Sequence, residues 1–183
     1  GVIPAPEIPV QKPRQAPPSD RVCRIRFRFS KTGAMALLSH LDLVRLFERA
    51  LRRAELPVSF TGGFHPLPRL QLALALPLGV QGEGEWMDLE FIEQVEALQV
   101  LTRWQQTLPP GLELMEAYEV PVSGQSLSQQ LEAARWSFEL KPQAGDPSIS
   151  LARWKQVVDD LLSRDTLVWH DTDKKGRPRQ RDC

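Results

Sequence analysis

An α+β fold is predicted for this 183-residue chain by three features of its hydrophobic pattern. Segments of period two and of helical period alternate as strand, helix, strand pair, helix, strand; a glycine-bearing connection joins the middle pair; and a similar series begins again after residue 130. That order is the split βαβ pattern of a ferredoxin-like unit over residues 21–122, followed by a second, incomplete ferredoxin-like unit over residues 123–183.

Each element has its own local reason. Residues 1–20, GVIPAPEIPVQKPRQAPPSD, are rich in proline and lack an apolar period, so an extended linker from an upstream domain is expected. The chain opens on Gly1-Val2 without methionine and stops at RPRQRDC just after a predicted strand, as a piece of a longer protein would. In RVCRIRFRFS, Cys23, Ile25, Phe27 and Phe29 alternate with Arg24, Arg26, Arg28 and Ser30, which predicts a half-buried strand. Ser39 followed by Asp42 marks a helix N-terminus. The helix then places Leu43, Val44, Phe47, Ala50, Leu51 and Ala54 on one face and Arg45, Arg49, Arg52 and Arg53 on the other, until Leu56-Pro57 ends it.

A short extra strand, PVSF, leads into TGGFHPLPR. Leu70, Leu72, Leu74 and Leu76, and then Met87, Leu89 and Phe91, predict a hairpin with a long loop, PLGVQGEGE. A second helix is expected from Val95 to Thr107, broken by PPG, and LELMEAYEV supplies the last strand of the unit. Beyond the polar loop SGQSLSQQ, the segments ARWSFEL, SLARWKQVVDDLLSR and TLVWHD predict strand, helix and strand.

Composition narrows the function class. A hydrophobic fraction of 42% supports a packed core. No apolar run approaches the roughly 18 residues of a membrane helix and no signal segment is present, so a cytoplasmic protein without a membrane partner is expected. Cys23 and Cys183 lie far apart without CxxC spacing, which gives neither a disulfide framework nor a zinc ribbon and leaves Cys23 to the core. Charge balances overall, yet residues 21–69 hold ten Lys/Arg against three Asp/Glu, and residues 70–140 two against eleven. Local fields therefore decide which partners are attracted.

Two features could carry chemistry. Four guanidinium groups on one helix face offer a multidentate phosphate surface. In the turn, Gly62 and Gly63 permit close backbone approach, and Phe64 and His65 offer flat surfaces for stacking, with Arg69 following. These nine residues, Arg45, Arg49, Arg52, Arg53, Gly62, Gly63, Phe64, His65 and Arg69, form the candidate substrate-binding set. Arg24, Arg26 and Arg28 are assigned instead to cross-strand ion pairs with the acidic residues of the neighbouring strands. His40, in the first turn of the helix, is the one candidate acid or base, with no partner fixed by spacing. Spacing brings His40, Asp42 and His65 to no metal site, and no P-loop, dinucleotide fingerprint or nucleophile elbow is present.

The stretch KTGAMALLSHLDLVRLFERALRRAELPVSFTGGFHPLPRLQLALALPLGVQGEGEWMDLEF, residues 31–91, resembles the bacterial radical SAM-linked domain of unknown function. Similarity extends from residue 21 to 183, and the family's domain continues somewhat beyond Cys183. The resemblance implies an accessory domain of a radical SAM enzyme, fused to it or separate. The [4Fe-4S] cluster and S-adenosylmethionine, with cobalamin where the fusion carries a cobalamin-binding domain, would then belong to the parent and none of them to this segment, which lacks the three-cysteine motif. It also implies an RNA connection. The favoured expectation is therefore a domain that binds and presents a tRNA or rRNA substrate and docks a radical SAM domain. Two alternatives stand beside it. One is a metal-independent RNA-processing nuclease using His40, by similarity to CRISPR repeat-processing proteins that also pair ferredoxin-like units. The other is a protein-interaction scaffold.

Overall fold

In β1 (Cys23–Lys31) the alternation continues without a break: Cys23, Ile25, Phe27, Phe29 and Lys31 are all buried on one face. The computed structural model describes residues 16–139, 150–166, 168–172 and 177–182. A short 3-10 turn, Gly33–Leu37, leads into α1 (His40–Ala54), where the Ser39 hydroxyl oxygen accepts the Asp42 N–H at 3.2 Å. The same hydroxyl donates to the Asp42 carboxylate at 2.6 Å, so the cap is held from both sides. Glu55 closes the helix in the left-handed conformation, φ 49°, ahead of Pro57.

β2 (Leu70–Leu72), β3 (Gly82–Phe91), α2 (Ala97–Gln105) and β4 (Leu112–Val120) complete the first unit. The sheet order is β2-β3-β1-β4 with every neighbouring pair antiparallel, an α+β arrangement of ferredoxin-like type. Both helices bury their apolar faces on one side of it, so that Leu43, Phe47, Ala50 and Leu51 of α1 and Val100 and Trp104 of α2 share a core with β1, β3 and β4. Cys23 is part of that core, its thiol pushed up by burial.

Several elements depart from the periodicity. PVSF forms isolated bridges, Val58 with Phe91 and Phe60 with Pro68, in place of a regular strand. β2 ends at Leu72, because the chain bends through Pro77 and Gly79 (φ 84°), whose N–H donates to the Ala36 carbonyl. α2 starts at Ala97 because the Glu96 carboxylate accepts the Gln99 N–H and fixes the N-terminus there. After β4, Ser126 and Gln129 close a capping box around a 3-10 turn whose Leu127 is buried against the first unit.

The chain divides into two compact units after Ala134. In the second, α3 (Leu151–Leu162) is capped by Ser150, and β5 (Val168–Thr172) pairs antiparallel with β6 (Pro178–Asp182), a strand that periodicity does not announce. ARWSFEL is not a strand: residues 134–139 have no regular structure, with Trp136 and Phe138 exposed, and Leu140 lies outside the described residues. An alternating pattern needs a neighbouring strand to stabilise it, and among the described residues no strand pairs with residues 134–139.

Candidate functional site

The helix arginines stand in solvent. Arg49 and Arg52 make no hydrogen bond or ion pair among the described residues. Arg45 meets Asp42 at 3.7 Å with both side chains more than half exposed, a pair of little strength. Arg53 donates to the Thr107 carbonyl at 2.6 Å, which orients its head without neutralising it. α1 thus offers four positive groups on its outer face against two carboxylates, Asp42 and Glu48, of which, among the described residues, only Asp42 meets an arginine, and weakly. His40 is exposed at the first residue of the helix. Asp42 is held by Ser39 and Arg45, so it does not orient His40, and no metal-ligating cluster occurs among the described residues.

The glycine turn is closed from within. Residues 59–69 form a hairpin whose base is tied by the Arg69 N–H to the Ser59 carbonyl and the Thr61 N–H to the Leu67 carbonyl. Gly63, with φ 109°, exchanges two backbone hydrogen bonds with Ala16 at 2.9 and 3.0 Å. A Cβ on Gly62 would stand 3.0 Å from Pro18. The close approach that two glycines allow is therefore made by the end of the proline-rich segment. Phe64 and His65 remain exposed at the tip.

Arg69 is set apart from the arginine helix by the sheet. Leu70 and Leu72 pack into the core beneath α1, so alternation turns Arg69 and Gln71 to the opposite face. That face is an ordered ionic array. Arg24 pairs with Glu90 at 3.1 Å, Arg26 with Asp88 at 2.8 Å and Arg28 with Glu116 at 2.9 Å, each across neighbouring strands in register. The strand arginines are thus internal ion partners, as their neighbours in sequence suggest. Arg28 lies against Gly84, where a Cβ would come within 2.8 Å of the guanidinium.

One end of this face departs from pairwise balance. The Ser59 N–H donates to the Glu90 carbonyl, the Glu90 N–H to the Arg69 carbonyl, and the Arg69 N–H to the Ser59 carbonyl, a closed ring of three backbone bonds. Three side chains are therefore brought to one spot by non-local pairing. Arg21 adds a bidentate pair to Glu90 at 2.5 and 2.6 Å, and Arg21 and Arg24 both donate to the Val122 carbonyl. Two guanidinium groups here share one carboxylate, and Arg69, joined to Glu90 through the backbone, has no ion pair among the described residues. Ser59 Oγ, Arg24 Nε and Arg69 Nε are buried without a hydrogen-bond partner among the described residues.

Lys31 and Glu85 were reachable by the same counting, since both fall on the core face of their strands. Lys31 is 1% exposed, and among the described residues its ammonium donates only to the Ala36 and Leu38 carbonyls, at 3.4 and 3.3 Å. Burial lowers its pKa against the pull of Glu85, and burial raises that of Glu85 against Lys31. A carboxyl raised above its ordinary value of 4.5 contributes stability that is complete below that pH and lost as pH rises through its folded pKa. Glu85→Gln is therefore expected to match the parent chain in thermal midpoint near pH 4 and to exceed it increasingly toward pH 7. Midpoints measured across that range check this, and a constant difference contradicts it.

Residues 24–183 match a protein family described as an uncharacterized protein conserved in bacteria (DUF2344). The chain belongs to this family. The match takes in β1, the arginine helix, the glycine turn and the ionic face together, as well as the second unit. No curated protein and no solved structure matches the chain. No helix among the described residues is long and apolar enough to cross a membrane.

Proposed function

We propose that the first unit holds an RNA strand on the outer face of α1, as an accessory domain that presents this substrate to a radical SAM enzyme. One observation carries the reading: among the described residues Arg49 and Arg52 have no internal partner, while the strand arginines Arg24, Arg26 and Arg28 are each satisfied by a carboxylate. A surface that was merely solvated would be expected to spread such charge or pair it along the helix. Here Glu48 leaves Arg52 unpaired at i,i+4. Arg45 and Arg53 extend the same face, and Arg53 is pre-oriented by Thr107. The radical SAM partner, with its cluster, S-adenosylmethionine and cobalamin, rests on the resemblance of residues 31–91 and belongs to the parent enzyme.

Binding of this kind releases counterions, so affinity for single-stranded RNA falls with salt at a log–log slope of about −0.7 per phosphate contact, or about −3 for four arginines. Arg49→Ala/Arg52→Ala is expected to reduce the slope by about 1.4. Filter binding across a salt series measures both. A slope unchanged by the double substitution sinks the proposal.

A further inference from the structure

We propose that the end of the sheet face around Glu90 is a binding site for a phosphate monoester, separate from the arginine face of α1. The argument begins with charge. Arg21 and Arg24 share Glu90, Arg69 has no ion pair among the described residues, and the adjoining Arg26 and Asp88 satisfy each other, so two positive charges are left over. A phosphate monoester carries about −1.5 to −2 at neutral pH and matches that excess, whereas a carboxylate covers half of it.

Donors come next. Among the described residues, Arg24 is 8% exposed and its Nε has no partner; Ser59 is fully buried and its hydroxyl has none; Arg69 Nε is likewise buried and unbonded. Buried donors of this kind are costly unless something accepts from them, and an oxyanion accepts from all three. The ring of backbone bonds through Ser59, Glu90 and Arg69 fixes where the backbones of Ser59 and Arg69 stand, beside the residue that holds Arg24. Access is on the Arg21 side, whose side chain is 42% exposed. Arg21 and Arg24 are held by Glu90 and the Val122 carbonyl, which leaves Arg69, free of any ion pair, as the residue that meets the ligand first.

The test uses the whole chain and inorganic phosphate as probe. Its thermal midpoint is followed against sodium phosphate and against sodium chloride of equal ionic strength at neutral pH. A midpoint that rises and follows a single-site saturation curve in phosphate, but not in chloride, is expected. Arg69→Met and, independently, Ser59→Ala should each weaken the apparent affinity roughly 10-fold or more, as loss of a charge-assisted donor does. Arg49→Ala/Arg52→Ala should retain the full phosphate response while its salt slope for RNA falls by about 1.4, which keeps this site and the α1 reading distinguishable. The proposal is overturned if phosphate and chloride act alike, or if both Arg69→Met and Ser59→Ala respond as the unaltered chain does.

Discussion

Glutamine in place of Glu90 is expected to lower the stability of the first unit by about 3–5 kcal/mol, the usual cost of removing one member of a buried ion pair. The Arg24 side chain is 9% exposed and cannot retreat to water, so without Glu90 it keeps only the Val122 carbonyl. Arg21 is far more exposed and can hydrate, and contributes less to the loss. Glutamine preserves shape and one acceptor, which isolates charge as the cause. Urea unfolding measures the effect: the midpoint should fall with the slope unchanged, since the surface exposed on unfolding is the same. Glu116→Gln supplies the contrast. Its pair with Arg28 is about half exposed, and its loss should cost under about 1 kcal/mol. Equal effects of the two substitutions would mean that burial is not what makes the Glu90 cluster strong.

Much of this fold is legible in local pattern. β1 declares itself through four alternating apolar residues, and α1 through a cap and a clean division between leucines and arginines. Carrying the period of β1 one step further places Lys31 inside as well. The internal pairing of the strand arginines also follows, because it depends on which face a residue occupies, whereas the sequence leaves open whether the helix arginines are free or paired. What local pattern cannot supply is convergence across the sheet. Ser59, Arg69 and Glu90 are joined by a junction of three chain segments, and a shift of one residue in any register would scatter them to opposite faces. The same limit applies at Gly62-Gly63. Two glycines state that something comes close; only the fold identifies it as Ala16–Pro18. Trp136 and Phe138 show the converse, an alternation that no strand among the described residues pairs with.

Phe47→Ala is expected to cost about 3–5 kcal/mol, the range for emptying a large aromatic from a packed core. Phe47 is 0% exposed and stands edge-on to Phe29 at 5.3 Å and to Trp104 at 5.4 Å, and Trp104 in turn meets Phe27 at 5.2 Å. It is thus the ring through which α1 is joined to both β1 and α2. Alanine leaves a hole bounded by rigid rings on strand and helix, which cannot collapse without moving one element against another. Arg49→Ala/Arg52→Ala lies on the other face of the same helix and should change stability by no more than about 0.5 kcal/mol. The two variants therefore divide α1 by face: one shifts the denaturation midpoint, and the other shifts the salt slope for RNA. Where Phe47→Ala is still folded, its slope should stay near −3, because the arginines need the helix and not that particular ring. A folded Phe47→Ala chain with a reduced slope would instead show that packing beneath α1 sets the spacing of its guanidinium groups.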